Sequence, residues 1–315
     1  MPLRWLQSSG ISFREGQSAR RCIGIAFALA LALGAVAPSG CVPGDAFPDR
    51  QTIVVSVPPL AYFANRLAGD RFNVSALVPP GTDPHHFEPS MSQLLDLNRA
   101  VLYLEIGHPR LEFETMLRER HFEDYPDLPI LSLVESTEMM PEDPHVWTSP
   151  RVAEIMARKI AARLREMAPD DPELETRLQG LLNDIHGVDE KLRRWSLRPE
   201  ATRSFISHHP AWAYLARDYG LRQIAIHRNH AEPSAARLAQ IVERGVEEKV
   251  RIVVVQPGYS EEAAQIVATE IGAVVVVVDP LGANWFDEMN RLADAFLRSD
   301  EALAGRETLS GGDRP

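Results

Sequence analysis

The sequence predicts an α/β protein with two lobes, each a mostly parallel sheet flanked by helices, joined by one long rigid helix. Three observations support this prediction. Short runs rich in Val and Ile, bounded by Pro and Gly, recur in two separate stretches of the 315-residue chain. Segments with helical spacing follow these runs, and such alternation is typical of parallel sheets. A long amphipathic segment lies between the two strand-rich stretches.

The predicted strands fall into an early and a late group. They cover 53–57, 74–78, 101–104 and 130–133 in the first group, and 252–255 and 274–278 in the second. Their apolar residues do not alternate with polar ones, which indicates strands buried on both faces of a sheet. Helical spacing predicts helices over 60–68, 92–98 and 260–271.

The connector between the two groups is predicted to be one helix over 171–197. Asp171-Pro172-Glu173 is a typical helix start, and Leu residues recur at helical spacing from Leu174 to Leu192. About 24 residues would span about 36 Å, and a flexible hinge would instead be rich in Gly and Ser. An ordinary surface helix would show the same spacing. The predicted lobes are 51–170 and 198–298, and 299–315 is predicted to be a disordered tail.

The first 41 residues have the pattern of an export signal. Arg20-Arg21 precedes an apolar run over 22–37 that is shorter than the roughly 20 residues of a membrane-spanning helix. Two cleavage sites compete. Residues 35–37 fit the small-x-small pattern, and residues 39–41 resemble a lipobox, although Pro38 replaces its usual Leu. In the second case Cys41 would carry a lipid anchor. We expect 42–50 to be a linker, and the protein to be periplasmic or attached to the outer face of a membrane.

Charge and composition exclude several classes of function. The formal net charge is −11, which argues against a nucleic-acid-binding protein because such proteins need a basic face. The chain has ten His and only two Cys. Both cysteines, Cys22 and Cys41, lie in the export signal or at its edge. Any metal in the mature chain must therefore be held by imidazole and carboxylate groups.

One tripeptide occurs twice, as Asp83-Pro84-His85 and, 60 residues later, as Asp143-Pro144-His145. A third histidine, His209, follows the apolar run 205–206, and Asp279 directly follows the run 274–278. Ligands of α/β sheets bind at the carboxyl ends of the strands, so the three histidines and Asp279 converge if both lobes face one cleft. Three nitrogens and one carboxylate suit Zn²⁺, whereas Mg²⁺ and Ca²⁺ prefer oxygen ligands.

Spacing alone leaves other interpretations open. The separations match no local zinc motif, and a single loop histidine is more often a surface residue than a ligand. His208 is the alternative ligand to His209. His227 and His230 form either a weak second site or part of a solvated loop. The tryptophans Trp147, Trp212 and Trp285 either wall a cleft or belong to the core.

Over residues 51–298 the sequence resembles the TroA/ZnuA-like metal-binding receptors of ABC importers (bacterial solute-binding protein family 9). The motifs that carry the resemblance occur in order: VVSVPPL at 54–60, VPPGTDPHHFEP at 78–89, DPHVW at 143–147, HPAWAYL at 209–215 with DYGL at 218–221, EPS at 232–234 and DPLG at 279–282. The resemblance implies two lobes on a backbone helix, with His85, His145, His209 and Asp279 as metal ligands.

The resemblance also implies a function. The protein would be a monomeric receptor, not an enzyme, that captures a divalent metal outside the cytoplasmic membrane and delivers it to the permease of an ABC importer. A histidine at the third ligand position, as in His209, favours zinc over manganese in this family. Many zinc receptors of the family carry a long His-rich loop between the first two ligand motifs, where this chain has only His108 and His121.

Two other functions remain as alternatives. An exported zinc-dependent hydrolase would need an open metal position, a bound water and a carboxylate base, for which Glu88 and Glu232 are the nearest candidates. No His-Glu-x-x-His motif occurs in the chain. A manganese-type receptor or adhesin of the same family is the second alternative, and nothing in the sequence supports it separately.

Overall fold

A computed structural model of the chain describes residues 50–123, 126–134, 139–227, 233–258 and 261–310, with side chains up to residue 299. The predicted export signal, the possible lipid anchor at Cys41 and nearly all of the predicted linker lie outside these residues. None of the helices in the described ranges combines the length and apolar character that crossing a bilayer requires.

The N-terminal lobe contains a four-stranded parallel sheet with the strand order β2-β1-β3-β4. Its strands are β1 Thr52–Val55, β2 Asn73–Ala76, β3 Leu102–Glu105 and β4 Ile130–Ser132. The helices between them are α1 Pro58–Ala68, α2 Met91–Asn98 and α3 Glu112–Met116, the last continued by a π-helical turn over Leu117–His121. The central strands β1 and β3 are buried, so the sheet core forms where the sequence predicts it.

The C-terminal lobe repeats this topology, with a parallel sheet in the order β6-β5-β7-β8. Its strands are β5 Ser204–Ser207, β6 Arg222–Ala225, β7 Ile252–Val255 and β8 Val274–Val277. Its helices are α6 Ala213–Tyr219, α7 Ala235–Glu247, α8 Glu262–Ile271 and α9 Trp285–Ser310. The last helix thus extends into the segment for which the sequence predicts a tail. The lobes share a strand order although the sequence shows no repeat of whole lobes.

Two long helices lie between the sheets, α4 Pro150–Met167 and α5 Leu174–Ser196. Helix α5 packs against α1 and α4 on one side and against α6 and α9 on the other, so it connects both lobes as the sequence predicts. Its apolar residues are buried along the whole helix, from Leu174 to Trp195. A hinge motion through this helix would have to separate packed apolar surface, which makes α5 a stiff connector.

The apolar core continues through α5 into the C-terminal lobe. One cluster of buried residues extends from the first sheet to an aromatic group in which the Trp195 and Phe296 rings lie 4.4 Å apart. Phe205 of β5 meets Phe296 edge-on at 5.6 Å. A second cluster fills the space between the C-terminal sheet, α7 and α8. The continuous core holds the two lobes in one arrangement.

Three strands differ from the prediction that every apolar run is buried on both faces, and one of them is the edge strand β4, where Ile130 is 37% exposed. Strand β8 lies at a sheet edge, and its Val274 is 52% exposed. Strand β2 is also an edge strand and is only partly buried. The sequence pattern does not predict β6, an edge strand that begins with Arg222 and Gln223 and therefore lacks an apolar run.

Candidate metal centre

The first histidine of the predicted site, His85, follows strand β2 in a short 3₁₀ turn over Pro84–His86. The carboxylate of Asp83 accepts a hydrogen bond from the backbone N–H of His85 at 2.9 Å. Pro84 occupies the first position of the turn, where a missing N–H costs no hydrogen bond. The tripeptide is therefore a local cap that holds the His85 backbone at the carboxyl end of the sheet.

The second copy of the tripeptide places His145 before a 3₁₀ turn over Val146–Thr148. Asp143 Oδ1 accepts hydrogen bonds from the backbone N–H of His145 at 2.8 Å and from its ring Nδ1 at 2.6 Å. Both side chains are buried. Burial raises the pKa of the Asp143 carboxyl, but the attraction of His145 and the hydrogen bonds that the carboxylate accepts lower the pKa further, so Asp143 is a carboxylate at neutral pH.

The third histidine, His209, follows strand β5 in the other lobe. The carbonyl oxygen of His209 accepts hydrogen bonds from Ser207 Oγ at 2.9 Å, from Gln223 Nε2 at 3.1 Å and from the Ala211 N–H at 2.9 Å. These bonds hold the His209 backbone against the end of β5, with Gln223 reaching across from β6.

The three histidines converge although they come from three loops and both lobes. One ring nitrogen of each of His85, His145 and His209 lies within 4.8 Å of those of the other two. Their ring centroids are separated by 5.4 to 5.8 Å. In the described part of the chain this is the one group of three or more His, Cys, Asp or Glu side chains arranged to hold a metal ion. Imidazoles at this spacing can bind one cation jointly.

Asp279, the fourth predicted ligand, lies at the end of β8 in the wall of a cavity of about 290 Å³ that the three histidines also line. Its carboxylate is outside the group whose donor atoms all lie within 4.8 Å of one another. Asp279 Oδ1 instead accepts a hydrogen bond from the Leu281 N–H at 2.9 Å, and the Asp279 N–H donates to Glu288. The pKa of Asp279 is raised above its ordinary value. Burial is the main cause and the negative charge of Glu288 adds to it, while the hydrogen bond from Leu281 partly opposes them.

A second cavity, of about 450 Å³, meets the same three histidines and opens between charged side chains. Arg110, Glu112 and Glu142 line it, and Arg110 forms an ion pair with Glu142. The three histidines therefore lie between two cavities, one that contains Asp279 and one with a charged rim. The rim residues are not predicted from the sequence, because no motif marks them.

His208 does not belong to the group of ring nitrogens, although it neighbours His209. Its ring stacks on that of His227, with centroids 4.1 Å apart, and both side chains are buried. His227 thus lies in the interior and not in a solvated loop. His230 and Glu232 fall outside the described residues.

The remaining described histidines do not belong to the group of three, and His121 contacts Asn98 Oδ1 through its Nε2 at 2.7 Å. His108 is buried and its Nε2 contacts the Met140 carbonyl oxygen at 3.1 Å. His186 lies on the exposed face of α5 and contacts Glu154 of α4. His86 lines the larger cavity next to His85.

Of the three tryptophans, Trp212 is buried directly before α6, and Trp147 and Trp285 are buried and hydrogen-bonded beside the site. Trp147 Nε1 donates to the Pro280 carbonyl oxygen at 2.6 Å, next to Asp279. Trp285 Nε1 donates to the Trp147 carbonyl oxygen at 2.6 Å. They are core residues that also join the His145 loop to the Asp279 loop across the two lobes.

A pair of buried carboxylates that the sequence does not predict lies where β3 ends: Glu105 is the last residue of β3, and Glu114 belongs to α3. Glu105 and Glu114 are almost completely buried. Glu114 accepts hydrogen bonds from the backbone N–H groups of Ile106 and Gly107, each at 2.9 Å. Burial and the charge of Glu105 raise the pKa of Glu114 to about 7. Arg118 lies 3.5 Å from Glu105 and partly balances its charge.

The chain has two parallel β-sheets joined by a common helix, and three imidazoles from both lobes face one cleft. These features define the class of two-lobed solute-binding proteins with a metal-ligating cleft. The chain belongs to the family described as ZnuA, zinc-uptake complex component A, periplasmic, whose family model matches residues 53–298. The resemblance found in the sequence motifs is thereby confirmed.

Relatives of known name agree with this membership. The high-affinity zinc uptake system protein ZnuA of Bacillus subtilis (strain 168) is 27% identical over 88% of this chain and 95% of its own length. The zinc-binding lipoprotein AdcA of Streptococcus pneumoniae serotype 4 is 29% identical over 74% of this chain, which spans only 50% of AdcA. A crystal structure of ZnuA superposes with a TM-score of 0.70 at 34% identity, covering 80% of this chain and 100% of that one.

Proposed function

We propose that this protein is an extracytoplasmic receptor that captures zinc in the cleft between its lobes and delivers it to the permease of an ABC importer. The observation that carries the proposal is the convergence of His85, His145 and His209 within 4.8 Å. The three side chains come from separate loops at the carboxyl ends of parallel strands, where α/β sheets bind ligands. The names of its relatives, a high-affinity zinc uptake protein and a zinc-binding lipoprotein, support zinc as the cargo.

The ligand chemistry also favours zinc over manganese. Three imidazole nitrogens suit a borderline cation such as Zn²⁺, whereas Mn²⁺ prefers oxygen donors. We infer that Asp279 is the fourth ligand, because it lines the same cavity as the three histidines. A cation would also offset the burial of its carboxylate. Four protein ligands close a tetrahedral site and leave no position for a reacting water.

A closed site of this kind binds but does not catalyse, so the protein is proposed to be a receptor and not a hydrolase. Glu88, one of the acids nominated as a catalytic base, is exposed and is not among the residues that line either cavity. Glu112 and Glu142 do line the larger cavity, where a hydrolase would place its catalytic base. Release of product from ester, peptide or phosphate substrates by the zinc-loaded protein would therefore overturn the receptor assignment.

The direct test is a metal titration of the purified, metal-stripped protein with Zn²⁺ and Mn²⁺. We expect one tight equivalent of Zn²⁺, weaker Mn²⁺ binding, and a large loss of zinc affinity in His145→Ala. His86→Ala is the matched control, because His86 is exposed and neighbours the proposed ligand His85. The absence of stoichiometric zinc, or equal effects of the two substitutions, would contradict the proposal.

The location of the protein is a separate proposal that rests on the export signal and on the lipoprotein among its relatives. We expect either a free periplasmic chain or a lipid-anchored chain that begins at Cys41. Mass analysis of the native N-terminus distinguishes them, since acylation of Cys41 adds the mass of the lipid. Delivery to the importer is tested by deleting the protein and measuring zinc-dependent growth. We expect the deletion to abolish this growth and the intact chain to restore it.

A further inference from the structure

The carboxylate of Asp143 contacts groups from both lobes beside the three histidines. Its Oδ1 accepts hydrogen bonds from the ring Nδ1 and the backbone N–H of His145, at 2.6 and 2.8 Å. Its Oδ2 accepts a hydrogen bond from the backbone N–H of Ala213 at 3.2 Å. Asp143 is 6% exposed and His145 is 3% exposed, so little water competes for these bonds.

The contact with Nδ1 determines which nitrogen of His145 can bind a metal. A carboxylate has no proton to donate, so a hydrogen bond at this distance requires the proton of the neutral imidazole to be on Nδ1. The lone pair is then on Nε2. A hydrogen bond from the far nitrogen to a carboxylate also fixes the ring orientation and makes the ligand more basic.

The second oxygen of Asp143 caps a helix of the opposite lobe. Ala213 is the first residue of α6, whose preceding residue, Trp212, provides no side-chain cap. The N–H groups of the first helical turn have no partner within the helix, and a side-chain oxygen usually supplies one. Here Asp143 supplies it from the other lobe. Helix α6 begins four residues after His209, so the bond links the loops of two of the three histidines.

We propose that Asp143 is a positioning residue of the metal site, which selects the metal-binding nitrogen of His145 and ties the His145 loop to the start of α6 behind His209. This inference rests on the proposed function. A second hydrogen bond also joins the two lobes, from the Met140 N–H to Tyr214 Oη at 2.7 Å. The Met140–Tyr214 bond involves no proposed metal ligand, whereas Asp143 contacts the proposed ligand His145 directly.

The substitutions Asp143→Ala and Asp143→Asn separate the two contacts. Alanine removes both. Asparagine keeps a carbonyl oxygen for the Nδ1–H of His145, but its NH₂ group then faces the N–H of Ala213, so the bond across the lobes is lost. Glu142→Gln is the matched control, since it removes one negative charge at the neighbouring position, on an exposed side chain in the rim of the larger cavity.

Zinc affinity is measured on the purified full-length mature protein by competition with a chromophoric chelator at pH 7.5. We expect Asp143→Ala to weaken zinc binding about 10- to 100-fold, the range for removing a hydrogen-bond partner of a ligating histidine. Asp143→Asn should weaken it less. Glu142→Gln should change it by no more than about twofold, because an exposed ion pair contributes little.

A second measurement needs no zinc. Nitrogen-15 NMR of the histidine rings in the metal-free wild-type protein should show the neutral His145 ring protonated on Nδ1. In Asp143→Ala the Nε2-protonated form should become populated. If Asp143→Ala does not fold, the wild-type tautomer and the asparagine variant decide the question.

Two results would overturn the inference while leaving the proposed function intact. One is a wild-type His145 protonated on Nε2. The other is zinc affinity in Asp143→Ala equal to that of Glu142→Gln, while His145→Ala loses binding. A wild-type protein that binds no stoichiometric zinc would overturn the proposed function itself, and the role of Asp143 at the metal site with it.

Discussion

Replacing Glu114 with Gln should change how the stability of the protein depends on pH. Glu114 is fully buried at the end of β3, with the carboxylate of Glu105 as its charged neighbour and Arg118 beyond it. Burial, with the added charge of Glu105, raises the pKa of Glu114 from the ordinary 4.5 to about 7. The folded protein therefore holds this proton more tightly than the unfolded chain does.

The sign of the effect follows from linkage between proton binding and folding. Because the folded-state pKa is the higher one, the folded state binds more protons between the two pKa values, and stability falls as pH rises through that window. With pKa values of about 4.5 and 7, Glu114 lowers the free energy of unfolding by about 2.5 kcal/mol between pH 5 and pH 8. Glutamine cannot ionise, so the variant does not undergo this pH-dependent loss of stability.

Glutamine also weakens a local contact. Glu114 accepts hydrogen bonds from the N–H groups of Ile106 and Gly107 through its two oxygens. Glutamine offers one oxygen, and its NH₂ group faces the second N–H. We expect the variant to be about 1 to 3 kcal/mol less stable than wild type at pH 5, where the wild-type side chain is protonated. At pH 8 the difference should disappear or reverse.

The assay is urea unfolding of the metal-free protein at pH 5 and pH 8, with chelator present because bound metal would add its own stabilisation. Glu119→Gln is the control, an exposed acid on the π-helical turn that continues α3. A difference between wild type and Glu114→Gln that stays constant from pH 5 to pH 8 would refute the reasoning. So would an equal pH response in the Glu119 variant.

Three further predictions concern the connector, a close contact and the cargo. Leu181→Ala, on the buried face of α5, should lower the free energy of unfolding by about 2 to 5 kcal/mol in urea titrations, whereas Leu197→Ala, at an 81% exposed position, should change it little. Gly282→Ala should destabilise the protein, because its new Cβ would lie 2.6 Å from Cγ of Glu288. Gly187→Ala lies in open space within α5 and should stabilise the protein by about 0.5 to 1 kcal/mol. Equal thermal midpoints for the two variants would contradict this prediction. Zinc at about 1,000 times its dissociation constant should add about 4 kcal/mol to the stability of the wild type, and an unchanged melting temperature would contradict binding to the folded state alone.

Some of the site could be predicted from the sequence because the signal is local. In both copies of the Asp-Pro-His tripeptide the Asp carboxylate accepts a hydrogen bond from the backbone N–H of the His, so the backbones of His85 and His145 are positioned by contacts within two residues. Spacing alone did not separate His209 from His208; the family resemblance favoured His209, and in the folded chain its ring joins those of His85 and His145. The two are neighbours, and which one faces the cleft depends on how β5 ends against Gln223 and on the ring of His227. Asp279 as a ligand stays a prediction.

Features that depend on distant contacts left no mark in the sequence. Strand β6 was missed because an edge strand that begins with Arg222 and Gln223 needs no apolar run. Strand β8 was predicted to be buried on both faces, since a Val-rich run does not reveal that its strand lies at an edge. The buried pair Glu105 and Glu114 was not predicted either. The two residues are nine positions apart, and no sequence pattern between them indicates that both carboxylates are buried.

The sequence by itself determined the two α/β lobes, the long α5 connector and the family. These depend on apolar periodicity and on short motifs, whose physical cause lies within a few residues. Only the tertiary structure decided that three imidazoles meet within 4.8 Å, and that Asp143 reaches Ala213 across 70 residues of sequence. Each of these contacts depends on two lobes packing on one helix, and no local pattern records a distance between separate loops.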